Sequence, residues 1–168
     1  MMIFLIGTNH ELQHFARPKR AEESKVREAR YRFQEYLRDQ ARQISPNLIA
    51  EEMAEEPLKY LDTFSTVKVI AGELKIEHRY CDPSSEIRLK LGIPPHGTEG
   101  YPDEEKRKYH KLRENYWYEQ ITPYVGKVVL FICGAEHVSS FRALLIEHGW
   151  QAVTLCKYWG IEIYNAKS

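Results

Sequence analysis

Apolar and polar positions along the chain alternate between two periods. Ile3 to Ile6 and residues 128–133 are continuous apolar runs, the pattern of strands covered on both faces. A helix is expected to begin near Thr8 or Asn9, either of which could cap it, and Pro18 interrupts that pattern. Residues 20–44, rich in Ala, Glu, Arg and Gln, predict a long helix. Val26, Ala29, Tyr31, Phe33, Tyr36 and Leu37 form its imperfect apolar stripe. Pro46-Asn47 turns the chain into a strand at Leu48-Ile49-Ala50. Residues 55–64 predict a helix and 66–71 a strand. "KIEHRYCDP" reads as a further strand ending at Asp82-Pro83, before a short helix capped by Ser84 or Ser85. "GIPPHGTEGYPDE", with three glycines and three prolines, is a loop and a candidate lid over a site. Asp103 opens a charged helix to about Ile121. Strand 127–133, a helix to about His148, a strand near 152–156 and a last strand near 161–164 complete the order. Strands alternating with helices predict one compact α/β domain over residues 1–168, with a largely parallel or mixed sheet flanked by helices.

Two of these strands end alike, in Gly7-Thr8-Asn9-His10 and in Gly134-Ala135-Glu136-His137. In open α/β sheets, binding groups gather where loops leave the carboxyl ends of strands. Glycine there is expected to permit a sharp strand-to-helix turn. His10 and His137 would then stand above the sheet as metal ligands or general bases, unless both are simply surface turn residues. Glu51-Glu52 follows the Leu48–Ala50 run. Alternation turns one of the pair toward such a pocket and the other away, and a carboxylate beside two histidines could bind a metal or move a proton. The same pair could instead be the acidic first turn of a helix. Arg113, Asn115 and Trp117 lie on the charged helix. Arg113 and Trp117, four apart, share a face, so the indole could shelter a guanidinium aimed at a carboxylate or phosphate. Arg79 and Asp82 lie near another strand end and are candidates for substrate binding. His10-Glu11-Leu12-Gln13-His14 also matches the H-E-x-x-H pattern of zinc proteases, a competing reading in which His14 matters as much as His10.

Composition narrows the partners. Lys plus Arg and Asp plus Glu both number 24, so net charge gives no argument for nucleic acid. No apolar run approaches the roughly 20 residues that span a bilayer, and the apolar start lacks the basic flank of a signal peptide. Cys81, Cys133 and Cys156 stand singly, which suits free thiols in a reducing cytoplasm better than disulfides.

With its two GxxH endings, Glu52 in "AEEM" and Arg113-Glu114-Asn115, in that order, the chain resembles the Tiki/TraB superfamily, which includes ChaN-like and erythromycin-esterase-like proteins. The resemblance implies a compact α/β domain with one pocket built from both halves. Tiki-like relatives imply a metal-dependent protease using both histidines and the glutamate, erythromycin-esterase-like relatives the opening of a lactone, and ChaN-like relatives haem binding. The expectation is therefore a small cytoplasmic hydrolase cleaving an amide or ester bond in a small-molecule or peptide substrate. His10, His137 and Glu52 would hold a divalent ion. Glu51 or Glu136 would assist proton transfer, and Arg113 and Asn115 would grip the substrate. The alternative is a binding or regulatory module using the same pocket without turnover.

Overall fold

A computed structural model describes residues 1–14, 23–94 and 100–160. The apolar opening run forms β1 (Met2–Thr8). Asn9 closes it by accepting a hydrogen bond from the Glu11 amide, which caps the short helix α1 (His10–Gln13). Then α2 (Glu23–Ile44) buries Val26, Ala29, Phe33, Leu37 and Ala41, a stripe recurring every three or four residues, while Tyr31 points to solvent. β2 (Leu48–Glu51) is buried throughout and leads to α3 (Glu55–Tyr60).

The expected strand at 66–71 is instead helix α4 (Thr66–Glu73). Its β-branched residues suggest a strand, but Ser65 accepts a hydrogen bond from the Lys68 amide and starts a helix. Val67, Ile70 and Ala71 are buried while Lys68 and Val69 are exposed, so burial follows the helical period. The helix expected over 55–64 stops at Tyr60, where Asp62 turns the chain with a φ of 47°.

β3 (Glu77–Tyr80) precedes α5 (Ser85–Lys90), which Ser84 caps, and α6 (Asp103–Ile121) opens with three acidic residues that suit the positive end of its dipole. β4 (Val128–Gly134), α7 (Val138–Glu147) and β5 (Gln151–Trp159) follow. The expected last strand at 161–164 lies outside the described residues, as do residues 95–99 of the candidate lid.

The five strands pair in the order β3-β2-β4-β1-β5, and every pairing is parallel. Side chains alternate between two cores. Ile3, Leu5, Leu48, Ala50, Val129, Phe131 and Cys133 face Trp117 and Ile121 of α6 and Phe141 and Leu145 of α7. Ile6, Ile49, Leu130 and Ile132 face Phe33 and Leu37 of α2 and Val67 and Ile70 of α4. β1 and β4 are neighbours at the centre, which is why both read as unbroken apolar runs. Their register sets Thr8 beside Gly134, and β2 sets Glu51 beside Ile132, so three strand ends share one edge. Cys81, Cys133 and Cys156 are free thiols, the first two buried. Among the described residues no helix is long and apolar enough to cross a membrane.

Candidate active site

The Glu51-Glu52 pair is divided by the sheet. Glu51 turns to the α2/α4 face, where it accepts a hydrogen bond from the Ser65 hydroxyl and lies 2.8 Å from His78 Nε2. Burial pushes its carboxyl above the usual value, against the pull of His78 and Ser65. Neither glutamate belongs to a helical first turn. The Glu52 amide donates to the Ile132 carbonyl, extending the ladder by one step and pointing its side chain to the α6/α7 face.

Glu52 is the hub of the strand-end cluster. Its Oε2 accepts from the Gly134 amide at 2.6 Å and its Oε1 from Arg113 Nη2 at 2.5 Å. His10 Nε2 and His137 Nε2 lie 3.6 Å and 3.5 Å from the same Oε1. The two GxxH histidines therefore flank one buried carboxylate.

The glycines serve close packing rather than a turn. Neither Gly7 nor Gly134 is among the residues with positive φ. A Cβ on Gly134 would come within 2.9 Å of His10 Nε2 and 3.2 Å of Glu52 Oε2. A Cβ on Gly7 would strike the Lys157 carbonyl of the neighbouring strand and Val138 of α7. The expected role of these glycines in a sharp strand-to-helix turn is thus replaced by one of steric clearance against neighbouring segments.

Arg113 spans the cluster from α6. Besides Glu52 it binds Asp82 Oδ1 through Nε at 2.9 Å and Nη2 at 2.8 Å. Trp117 Nε1 donates to that oxygen at 3.0 Å, its ring lies 5.2 Å beneath the guanidinium, and Arg88 binds the other Asp82 oxygen. Behind Arg113, His137 is fully buried. Its Nδ1 lies 2.8 Å from Glu114 Oε1, which also accepts from the Ser140 hydroxyl at 2.6 Å. His110, one turn before Arg113, places its ring 4.2 Å from that of His137.

Charge pairing outweighs burial here. Burial alone would raise the Glu52 pKa, yet Arg113, His137, His10 and the Gly134 amide together hold it far below the usual carboxylate range. Burial opposes charge on Arg113 as well, but Glu52 and Asp82 push its pKa up. For His137, burial would favour the neutral ring, and Glu52 and Glu114 overcome it and raise its pKa. His110 goes the other way, lowered by burial and then by His137.

A cavity of about 420 Å³ opens on this cluster. His10, His14, Glu52, Asp82, Arg88, His110, Arg113 and Glu136 line it, with Glu136 exposed at its rim. Glu51 is turned away. Arg79 is committed elsewhere, donating to the Gln120 carbonyl at 2.7 Å with its guanidinium over the Tyr124 ring, and neither Arg79 nor Asn115 lines the cavity. Sequence reasoning did not single out His110, Arg88 or Glu114. Spacing along α6 held the signal for two of them, since His110, Arg113, Glu114 and Trp117 are three or four residues apart on one face.

The zinc-protease pattern does not form a helical pair of histidines. α1 ends at Gln13, and His14 is extended (φ −141°, ψ 163°) and bridged to Ser65. A divalent ion at His10, His137 and Glu52 would share the carboxylate with Arg113 and the Gly134 amide, each of which already donates to one of its oxygens. Among the described residues, the donors that could hold a metal are those of His110, Glu136 and His137, whose ligand atoms lie within 4.8 Å of one another. No family model, curated protein or solved structure matches the chain.

Proposed function

We propose that this pocket hydrolyses an amide or ester bond in a small-molecule or peptide substrate, within the cytoplasm where three unpaired thiols stay reduced. One observation carries the reading: an imidazole open to solvent and a pre-oriented guanidinium meet at one cavity on the carboxyl edge of a parallel sheet. Acyl hydrolysis needs a group that moves a proton and a cation that steadies the developing oxyanion. The side chain of His10 is 48% exposed, so a substrate entering the cavity can reach it. Arg113 is held in one orientation by Glu52 and Asp82, leaving Nη1 as the guanidinium nitrogen with no carboxylate partner. Because that orientation is set before substrate arrives, little reorganisation accompanies the reaction.

A second reading, a binding module without turnover, draws on the same network. Glu52, Asp82 and Arg113 satisfy one another so fully that they could serve architecture alone. A series of p-nitrophenyl esters and aminoacyl anilides separates the two. Turnover that falls about 100-fold or more in His10→Ala, with an unchanged melting temperature, supports the hydrolase. Equal rates in both proteins across the series would leave the binding module.

A further inference from the structure

We infer that the pocket carries a binding site for a first-row divalent ion of the zinc class, formed by His110, Glu136 and His137. The inference deepens the hydrolase reading, on which the ion's use in turnover depends, although its binding does not. These three side chains come from two segments, the middle of α6 and the turn between β4 and α7, and each brings one donor atom within 4.8 Å of the other two. Two imidazoles and one carboxylate are the mixed nitrogen and oxygen set that suits zinc and its neighbours, and three protein ligands leave a coordination position open.

Three further observations support it. His137 makes a 2.8 Å contact through Nδ1 to Glu114, and Glu114 is itself held by Ser140 at 2.6 Å. A carboxylate behind one ring nitrogen is the usual support of a metal-binding histidine, fixing the ring and presenting the other nitrogen. Secondly, His110 and Glu136 both line the 420 Å³ cavity, so an ion bound there would meet a substrate. Thirdly, the cavity wall carries four carboxylates (Glu52, Glu56, Asp82 and Glu136) against two guanidinium groups (Arg88 and Arg113). Arg113 Nη1 lies 3.3 Å from His137 Nε2, but its charge is offset by Glu52 and Asp82, and the remaining excess matches a divalent cation. An ion held there would polarise a carbonyl or acidify a bound water.

Calorimetric titration of untagged, chelator-treated full-length protein with Zn²⁺ tests this, with Co²⁺ absorption reporting the ligand set. One ion per chain is expected, and His110→Ala and Glu136→Gln should each weaken binding by about 100-fold or more. Glu114→Gln should weaken it by about 10–100-fold through the orientation of His137. His10→Ala should bind like the wild type. Absence of stoichiometric binding in the wild type would overturn the site, as would loss in His10→Ala with His110→Ala intact, or equal loss in all variants. Zinc binding with this pattern but no turnover would refute the hydrolase and leave the metal site standing. Turnover by protein that binds no metal would do the reverse.

Discussion

Replacing Arg113 by methionine should destabilise the fold by about 3–5 kcal/mol near pH 7, because it strands a charge that burial cannot tolerate. Methionine keeps an aliphatic side chain beside Trp117 while removing the guanidinium N–H groups that Arg113 gives to Glu52 and Asp82. Glu52 is 2% exposed, so it has little water of its own to replace the lost partner. For a chain of this size the loss corresponds to roughly 6–20 °C in melting temperature. Urea unfolding with matched slopes measures the difference, and its pH dependence tests the cause. In the wild type the folded pKa of Glu52 lies below its ordinary value of 4.5, so its contribution is present above that value and is lost as pH falls toward the folded pKa. Arg113→Met removes the strongest of the influences that lower this pKa, so the folded pKa of Glu52 rises relative to the wild type. The variant should therefore lose less stability in acid than the wild type, and the gap between the two proteins should narrow below about pH 5. Adding Glu52→Gln to Arg113→Met should restore at least about 1 kcal/mol, since one stranded charge is gone. A gap under about 1 kcal/mol near neutrality, or one constant down to about pH 4, would refute the argument.

Further outcomes follow from the packing of the strand ends and helix caps. Gly7→Ala should be more destabilising than Gly134→Ala in thermal melts, because its Cβ meets a strand carbonyl, whereas Gly134 faces the movable ring of His10. Gly134→Ala should instead change the pocket, seen as an altered His10 resonance by NMR. Ser65→Ala removes both the α4 cap and a hydrogen bond to buried Glu51, so it should lose about 2 kcal/mol in denaturant unfolding, more than Ser84→Ala, which loses a cap at a more exposed helix. Trp117→Phe keeps a ring against Phe131 and Phe141 but removes the indole N–H from Asp82, for a loss of about 1–2 kcal/mol by the same measurement.

Much of the framework was legible because it is local. Ile3–Ile6 and the β4 run announce strands buried on both sides, and Asn9, Ser84 and Asp103 stand where helices begin. The strand-end positions of His10 and His137 could be read from the same boundaries. The 66–73 segment could not, because β-branched residues fit either period and the Ser65 cap is a single weak signal.

What the sequence by itself determined is the alternation of elements and the burial of their faces, since side-chain period and backbone capping act within a few residues. Only the tertiary structure decided how the site is wired. It decided that Glu52 rather than Glu51 enters the pocket, a matter of which sheet face α6 and α7 cover. It also decided that Arg113 meets a carboxylate 61 residues away, and that His110 joins His137 while Arg79 turns to Gln120. Those pairings depend on the β3-β2-β4-β1-β5 order, which places β2 against β4 and both beneath α6. Long-range contacts of this kind arise from strand order and layer packing, which no short window of residues encodes.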